Sequence, residues 1–256
     1  SRSFRARCRA VSKIAAPFPF DNAAFNNAVS GLHQLPLGRI MGADNVHATK
    51  GERMYDTGST TFMLICTMLV FLMTPGLAFF YGGLSRRKNV INTMLMCFGV
   101  IGLVGVLWIV AGWSLAYGGD GSSPFIGGLD QLLCLPVLNQ VLQAAEGNAA
   151  DGAAYPQIIN IAFQMAFAMI TAAIVTGSLA GRVKFGAMTA FLGIWLLVVY
   201  APLAHMVWGG EGSFIGDIIG ALDFAGGDVV HISSGLTGLI LCLMLGRRRG
   251  FGMVSY

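Results

Sequence analysis

The sequence has very little charge. Only 11% of its 256 residues are Asp, Glu, Lys or Arg, and 55% are hydrophobic, whereas an average soluble domain is about a quarter charged. This composition indicates that most of the chain does not lie in water. The net charge of +4 does not indicate a nucleic-acid partner, because the basic residues are arranged by position along the chain, as described below.

Patterns that would indicate an enzyme or a metalloprotein are missing as well. The five cysteines show no CxxC spacing, and three of them lie inside long apolar runs, which argues against a zinc site and against a disulfide framework. The sequence contains no paired carboxylates, nucleophile motif or cluster of metal-ligating residues. We therefore expect a protein that is not an enzyme and has neither a metal nor a cofactor.

The chain does contain long apolar runs. A helix needs about 20 mostly apolar residues to cross the hydrocarbon core of a bilayer. Runs close to that length lie at about 60–80, 91–115, 157–180, 185–207 and 229–245. These runs predict five transmembrane helices and an all-α membrane protein.

Residues 1–56 differ from the remainder. The opening SRSFRARCRAVSK carries five basic residues and no acidic one, and a polar segment rich in Asn, Gly and Ala follows. An Arg- and Ser-rich start without acids is typical of an organelle transit peptide, and a disordered extension is the alternative. We predict an N-terminal extension at 1–56 and a membrane domain at 57–256.

Charges beyond residue 56 alternate between the connections. Basic residues follow the first, third and fifth runs: Arg86, Arg87, Lys88, Arg182, Lys184, Arg247, Arg248 and Arg249. Acidic residues lie in or beside the connections after the second and fourth runs: Asp120, Asp130, Glu146, Asp151, Glu211, Asp217, Asp223 and Asp228. Because Lys and Arg are retained on the cytoplasmic side, the first helix should enter from outside and the end near Tyr256 should be cytoplasmic. The acidic outer face favours arriving cations.

His231 is an ionisable residue within the fifth apolar run. At about 1.5 Å per helical residue it would lie roughly 12 Å below Asp223, which can itself cap the helix start. Such a histidine is either neutral and bonded to a neighbouring helix, or functional as a proton carrier or as a hydrogen-bonding partner of a polar solute. Both interpretations remain open at this point.

Aromatic residues lie near the outer ends of two helices. Phe163 and Phe167 are four residues apart and so share a helix face, and Trp208 lies at the outer end of the fourth run. A tryptophan there is either an interfacial anchor or part of a cation site, since aromatic faces attract desolvated cations. From the outer face inward, the order is acidic loops, then aromatic residues and then a histidine. This order suits a cation that binds at the outer end and then loses its charge.

Several motifs resemble the Amt branch of the Amt/Rh ammonium transporter family across residues 57–256. They are FYGGL with the following RRKN, then AFQMAFAMIT, YAPLAHMVWGG and DFAGGDVVHISSGLTGLILCLMLGRRRGFG. The resemblance implies an eleven-helix fold of two inverted five-helix halves, of which we expect this chain to be the first, ending after the fifth span. It also implies a homotrimer in a bilayer, here the plasma membrane, and a PII-type regulator of a cytoplasmic tail.

The same resemblance implies a set of site residues. The substrate-binding set would be Trp208, Phe167, Phe163, Tyr200 and Asp223. In this set Trp208 would recruit ammonium, Phe167 would act as a gate, and Asp223 would support the site from beneath. His231 would be the first of two histidines that line a narrow hydrophobic pore. Asp228 departs from the small or neutral residue expected after DFAGG and adds a negative charge near the mouth.

The implied function is transport of ammonium, which would be deprotonated at the outer site and cross as ammonia while the proton is handled separately. A bare cation in an apolar passage has a large desolvation cost, whereas neutral ammonia has a much smaller one. The alternative is an ammonium sensor that has the same membrane core and is coupled to a signalling partner.

Overall fold

The computed structural model describes residues 55–119, 123–139 and 155–247. These residues belong to one compact unit, Glu52–Tyr256. Nearly all of the predicted extension at 1–56, together with Asp120, Glu146, Asp151, Arg248 and Arg249, lies outside the described residues.

Five helices are long and apolar enough to cross a membrane, which confirms the predicted spans. They are α1 Thr57–Leu84, α2 Arg87–Tyr117, α3 Gln157–Leu179, α4 Phe185–Trp208 and α5 Gly227–Leu245. Within the three described stretches no residue lies in a strand. Three helices contain π-helical turns: Trp108–Gly112 in α2, Leu196–Tyr200 in α4 and Gly227–Ile232 at the start of α5.

Helix ends are set by local side chains and by glycine. At the start of α1 the Asp56 carboxylate accepts a hydrogen bond from the Ser59 backbone N–H at 2.6 Å. Hydrogen bonds from the Ser59 side chain and backbone lower the pKa of Asp56, because they favour the charged form. Gly181 and Gly246, which follow α3 and α5, have φ of 70° and 69°, a left-handed conformation that glycine adopts at little cost.

Helix α3 is the centre of the bundle and packs against α1, α2 and α5. Its buried face is rich in small residues, which allow helices in a membrane to approach closely. Tyr81 of α1 lies directly over Gly177, where an added Cβ would be 2.5 Å from the tyrosine ring. The Tyr81 hydroxyl also donates to the Ile174 carbonyl at 3.2 Å. These contacts hold α1 against α3.

A buried aromatic cluster joins α2 to α4. The Tyr200 ring centroid lies 6.0 Å from that of Trp108 and 6.1 Å from that of Trp195. Trp108 also contacts Trp113, at 6.4 Å between centroids. These large rings fill the space between the two helices and so support the end of α4.

Successive helices run in alternate directions, and their ends meet in two groups. At the basic end, Arg182 Nη1 in the α3–α4 connection donates to the Gly246 carbonyl after α5, at 3.2 Å. At the acidic end, His205 near the end of α4 lies within hydrogen-bond distance of the carbonyls of Ala116 in α2 and Ser123 in the following loop. The two ends therefore match the predicted separation of basic and acidic connections. Which end faces the cytoplasm stays a prediction.

Candidate functional site

Three aromatic residues meet at the acidic end. The ring centroids of Phe163 and Phe167 on α3 are 5.0 Å apart, with an interplanar angle of 81°. Phe167 in turn contacts Trp208 of α4, at 6.3 Å and 66°. Edge-to-face pairs at these distances are favourable, and all three side chains are half-buried. The rings thus form a contact series from α3 to α4 that retains exposed surface.

The Asp223 carboxylate caps α5, as predicted. Oδ1 accepts from the backbone N–H groups of Gly226 and Gly227, both at 2.7 Å. Oδ2 accepts from Asp228 and Val229 at 3.0 and 3.1 Å. Since the first N–H groups of a helix have no partner within the helix, one side chain satisfies the start of α5.

Gly226 allows this cap to form. It has φ of 85°, a conformation that strains residues with a side chain, and an added Cβ would lie 2.9 Å from Val230 Cγ2. The glycine turn directs the four N–H groups towards a single carboxylate. The motif DFAGG is therefore a structural unit whose polar and glycine residues act together.

The Asp223 main chain also holds Trp208. The indole Nε1–H of Trp208 donates to the Asp223 carbonyl oxygen at 3.3 Å. One residue therefore organises the start of α5 through its side chain and orients the tryptophan through its backbone. In this way the fold brings four of the predicted residues together: Phe163, Phe167, Trp208 and Asp223.

Tyr200 lies behind this group rather than on its surface. Its side chain has no exposed area, and its ring belongs to the aromatic cluster with Trp108 and Trp195. The hydroxyl is buried and has no hydrogen-bond partner among the residues described. Within the described residues Tyr200 therefore packs behind the aromatic group and adds no exposed surface to it. Its place in the substrate-binding set stays a prediction.

His231 lies in the π-helical turn at the start of α5 and is exposed on the surface of the five-helix unit. Its ring makes no hydrogen bond to any described residue, so no bond to a neighbouring helix is seen within this part of the chain. The predicted depth below Asp223 assumed a helix that begins at Asp223, whereas residues 223–226 are not helical. The depth of His231 stays a prediction.

The surface that carries His231 continues along α5 as an uncovered apolar stripe. Its other exposed residues are Ile232, Leu236, Leu239, Ile240 and Leu243. Asp228, one turn before His231, is half-buried, and its backbone N–H is held by Asp223. The sequence placed this negative charge near the mouth, and the structure puts it in the first turn of α5, where a helix dipole favours an anion.

His205 was not identified as a site residue from the sequence. The ring is buried and both of its nitrogens face backbone carbonyls. No local pattern indicates such partners, since they lie 89 and 82 residues away along the chain. Within the described stretches, no group of three or more His, Cys, Asp or Glu side chains could hold a metal ion.

Comparisons with known proteins agree on one family. A family model described as Ammonium Transporter Family matches residues 61–255. An ammonium transporter of Aquifex aeolicus is 42% identical over 219 residues, covering 85% of this chain and 49% of that protein. An ammonium transporter of Bacillus subtilis is 44% identical over 196 residues, covering 75% and 45%.

The fold also matches a solved structure. The crystal structure of Candida albicans Mep2 matches with a TM-score of 0.64 at 31% identity, covering 76% of this chain and 40% of that one. The chain thus spans about half the length of the curated relatives it matches.

Proposed function

The chain belongs to the ammonium transporter family, and from that premise we propose that it forms part of a path by which ammonium crosses a membrane. The observation that carries the proposal is the series of rings Phe163–Phe167–Trp208 at the acidic end, tied to the capped start of α5 through Asp223. Five helices that could span a membrane hold these residues.

Ammonium would bind first at the aromatic group. An aromatic face attracts a cation by about 2 kcal/mol or more when the cation has lost water, and the acidic connections raise its local concentration. Trp208 would contact the ion, Phe167 would stand between this site and the path below, and Phe163 would flank it. Tyr200 would act from behind by supporting the last turns of α4.

The ion would then lose its proton. Entry of a bare cation into an apolar passage is strongly unfavourable, whereas ammonia carries no charge and has a smaller desolvation cost. The uncovered stripe of α5 would form one wall of that passage, with His231 at its upper part. An imidazole can accept or donate a proton near neutral pH, so His231 would take part in handling the separated proton.

The uncovered stripe needs an opposite wall. We propose that a second, inverted five-helix half supplies it, as transporters built from inverted repeats place their sites where the halves meet. We further propose assembly as a homotrimer in the plasma membrane, with the basic end cytoplasmic and with a PII-type regulator acting on a cytoplasmic tail.

A substitution of Trp208 tests this proposal. The protein is expressed from its complete reading frame, reconstituted in liposomes and assayed for ammonium-driven current and methylammonium competition. Trp208→Leu removes the cation contact of about 2 kcal/mol, so we expect about a 30-fold loss of apparent affinity for ammonium. Phe125→Leu is the matched control, because Phe125 is an exposed aromatic residue of the neighbouring loop whose ring contacts Phe214.

Two results would count against the proposal. Equal ammonium currents in Trp208→Leu and in the unsubstituted protein would show that the tryptophan is only an interfacial anchor. A purified protein that binds ammonium without any current would favour the alternative of a sensor, which has the same membrane core.

A further inference from the structure

His205 is a buried histidine that the transport proposal does not use. It lies in the last turn of α4 and is 5% exposed. Nδ1 is 3.0 Å from the Ala116 carbonyl oxygen at the end of α2, and Nε2 is 2.9 Å from the Ser123 carbonyl oxygen in the following loop. Both partners are backbone carbonyls, which accept hydrogen bonds and cannot donate them.

The ring can attach the end of α4 to two other parts of the chain. An imidazole N–H donates to a backbone carbonyl, and the two carbonyls within reach belong to the end of α2 and to the loop that follows it. Loss of such a donor leaves a carbonyl without its partner at a free-energy cost. His205 therefore restrains the last turn of α4.

We propose that His205 is a positioning residue for Trp208, an inference that rests on the proposed transport function. Trp208 follows three residues later in the same helical turn, and the Gly209 N–H closes that turn on the His205 carbonyl at 2.9 Å. Through its two nitrogens the ring contacts α2 and the loop that contains Ser123, called here the outer loop.

The attachment continues to the segment after α4. Pro124, next to Ser123, accepts from the Phe214 N–H at 3.0 Å, so the outer loop links His205 to the π-helical turn Phe214–Ile218. Trp208 is thereby held from two sides, by the Asp223 carbonyl on its indole and by His205 on its backbone. Without His205 the last turn of α4 has fewer restraints, and the indole loses its fixed orientation towards Phe167.

The first experiment measures the hydrogen bonding of the ring. The protein, expressed from its complete reading frame with 15N-labelled histidine and reconstituted in bilayers, is studied by solid-state NMR. The His205 signals are assigned by their loss in His205→Gln. We expect a ring N–H that is hydrogen-bonded to a backbone carbonyl. A ring without such a hydrogen bond would overturn the proposal whether or not the protein transports ammonium.

The second experiment measures transport. His205→Phe removes both ring nitrogens, and His205→Gln keeps an amide donor that can reach one carbonyl. We expect the KM for ammonium to rise about tenfold in His205→Phe, with partial rescue in His205→Gln and a maximal rate that changes less than KM. The control Gln131→Met removes the hydrogen bond from Trp113 Nε1 in the same outer loop, at 2.6 Å, and should leave KM unchanged.

The outcomes are distinguishable. An unchanged KM in both His205 variants, or an equal rise in Gln131→Met, would overturn the positioning role while leaving the transport proposal intact. If the unsubstituted protein carries no ammonium, the transport proposal fails and the positioning role fails with it. If His205→Phe does not fold, His205→Gln and the NMR measurement decide.

Discussion

Replacement of the Asp223 carboxylate should loosen the start of α5 by an amount that follows from its hydrogen bonds. The carboxylate accepts from four backbone N–H groups, two on each oxygen. At about 1 kcal/mol for each bond, Asp223→Asn, which keeps one acceptor oxygen, should lose about 2 kcal/mol of local stability. Asp223→Ala should lose about 4 kcal/mol on the same basis.

Amide hydrogen exchange is the suitable assay, because it reports the free energy of local opening. A free-energy difference of 1.4 kcal/mol corresponds to a factor of ten in the exchange rate. Amide exchange at Gly226–Val229 should therefore be about 30-fold faster in Asp223→Asn and about 1,000-fold faster in Asp223→Ala. The measurement uses peptides that cover the start of α5 in the reconstituted protein. Trp208 should also reorient, since its indole is bound to the Asp223 carbonyl.

Asp217→Asn is the matched control. Its carboxylate lies at the same end and accepts from the Gly212 N–H at 2.8 Å, but it has no contact with the start of α5 that would slow exchange there. Exchange at Gly226–Val229 should be unchanged in this variant. The reasoning is refuted if Asp223→Ala exchanges no faster than Asp217→Asn at these positions.

Three further predictions follow from the fold. Single cysteines beside Arg182 and Asp217 should react with impermeant labels from opposite sides of the membrane, the first from the cytoplasm; reactivity from one side would contradict the topology. His231→Phe keeps the bulk of the ring but removes both nitrogens. Ammonium-driven current should therefore be lost, while size-exclusion chromatography shows intact assembly. An undiminished current would make His231 a packing residue. Gly177→Ala should destabilise the protein by about 1–3 kcal/mol in thermal unfolding, because its Cβ would meet the Tyr81 ring, whereas Gly83→Ala has open space and is the control.

Much of the fold could be predicted from the sequence because its signals are local. Each span is a run of apolar residues long enough for a bilayer, and its ends lie near the charged or polar connections. The Asp223 cap was predictable for the same reason, since a carboxylate shortly before a helix start can reach the free N–H groups. The shared face of Phe163 and Phe167 follows from helical periodicity alone.

Other features of the site could not be predicted in this way. The π-helical turn that carries His231 begins only after four non-helical residues, so helical rise cannot be counted from Asp223. Tyr200 matches the motif but is fully buried against Trp108 and Trp195. Its position depends on how α2 and α4 face each other, which no single run of sequence contains.

The sequence by itself determined the number of spans, their approximate bounds and the alternation of basic and acidic connections. Each of these depends only on neighbouring residues and on the apolar interior of the membrane. Only the tertiary structure decided which side chains meet. Phe167 contacts Trp208 across two helices, and His205 reaches carbonyls 82 and 89 residues away. Such contacts are set by the packing of whole helices against one another, and the small residues of α3 that permit close approach do not specify which distant side chains are brought together.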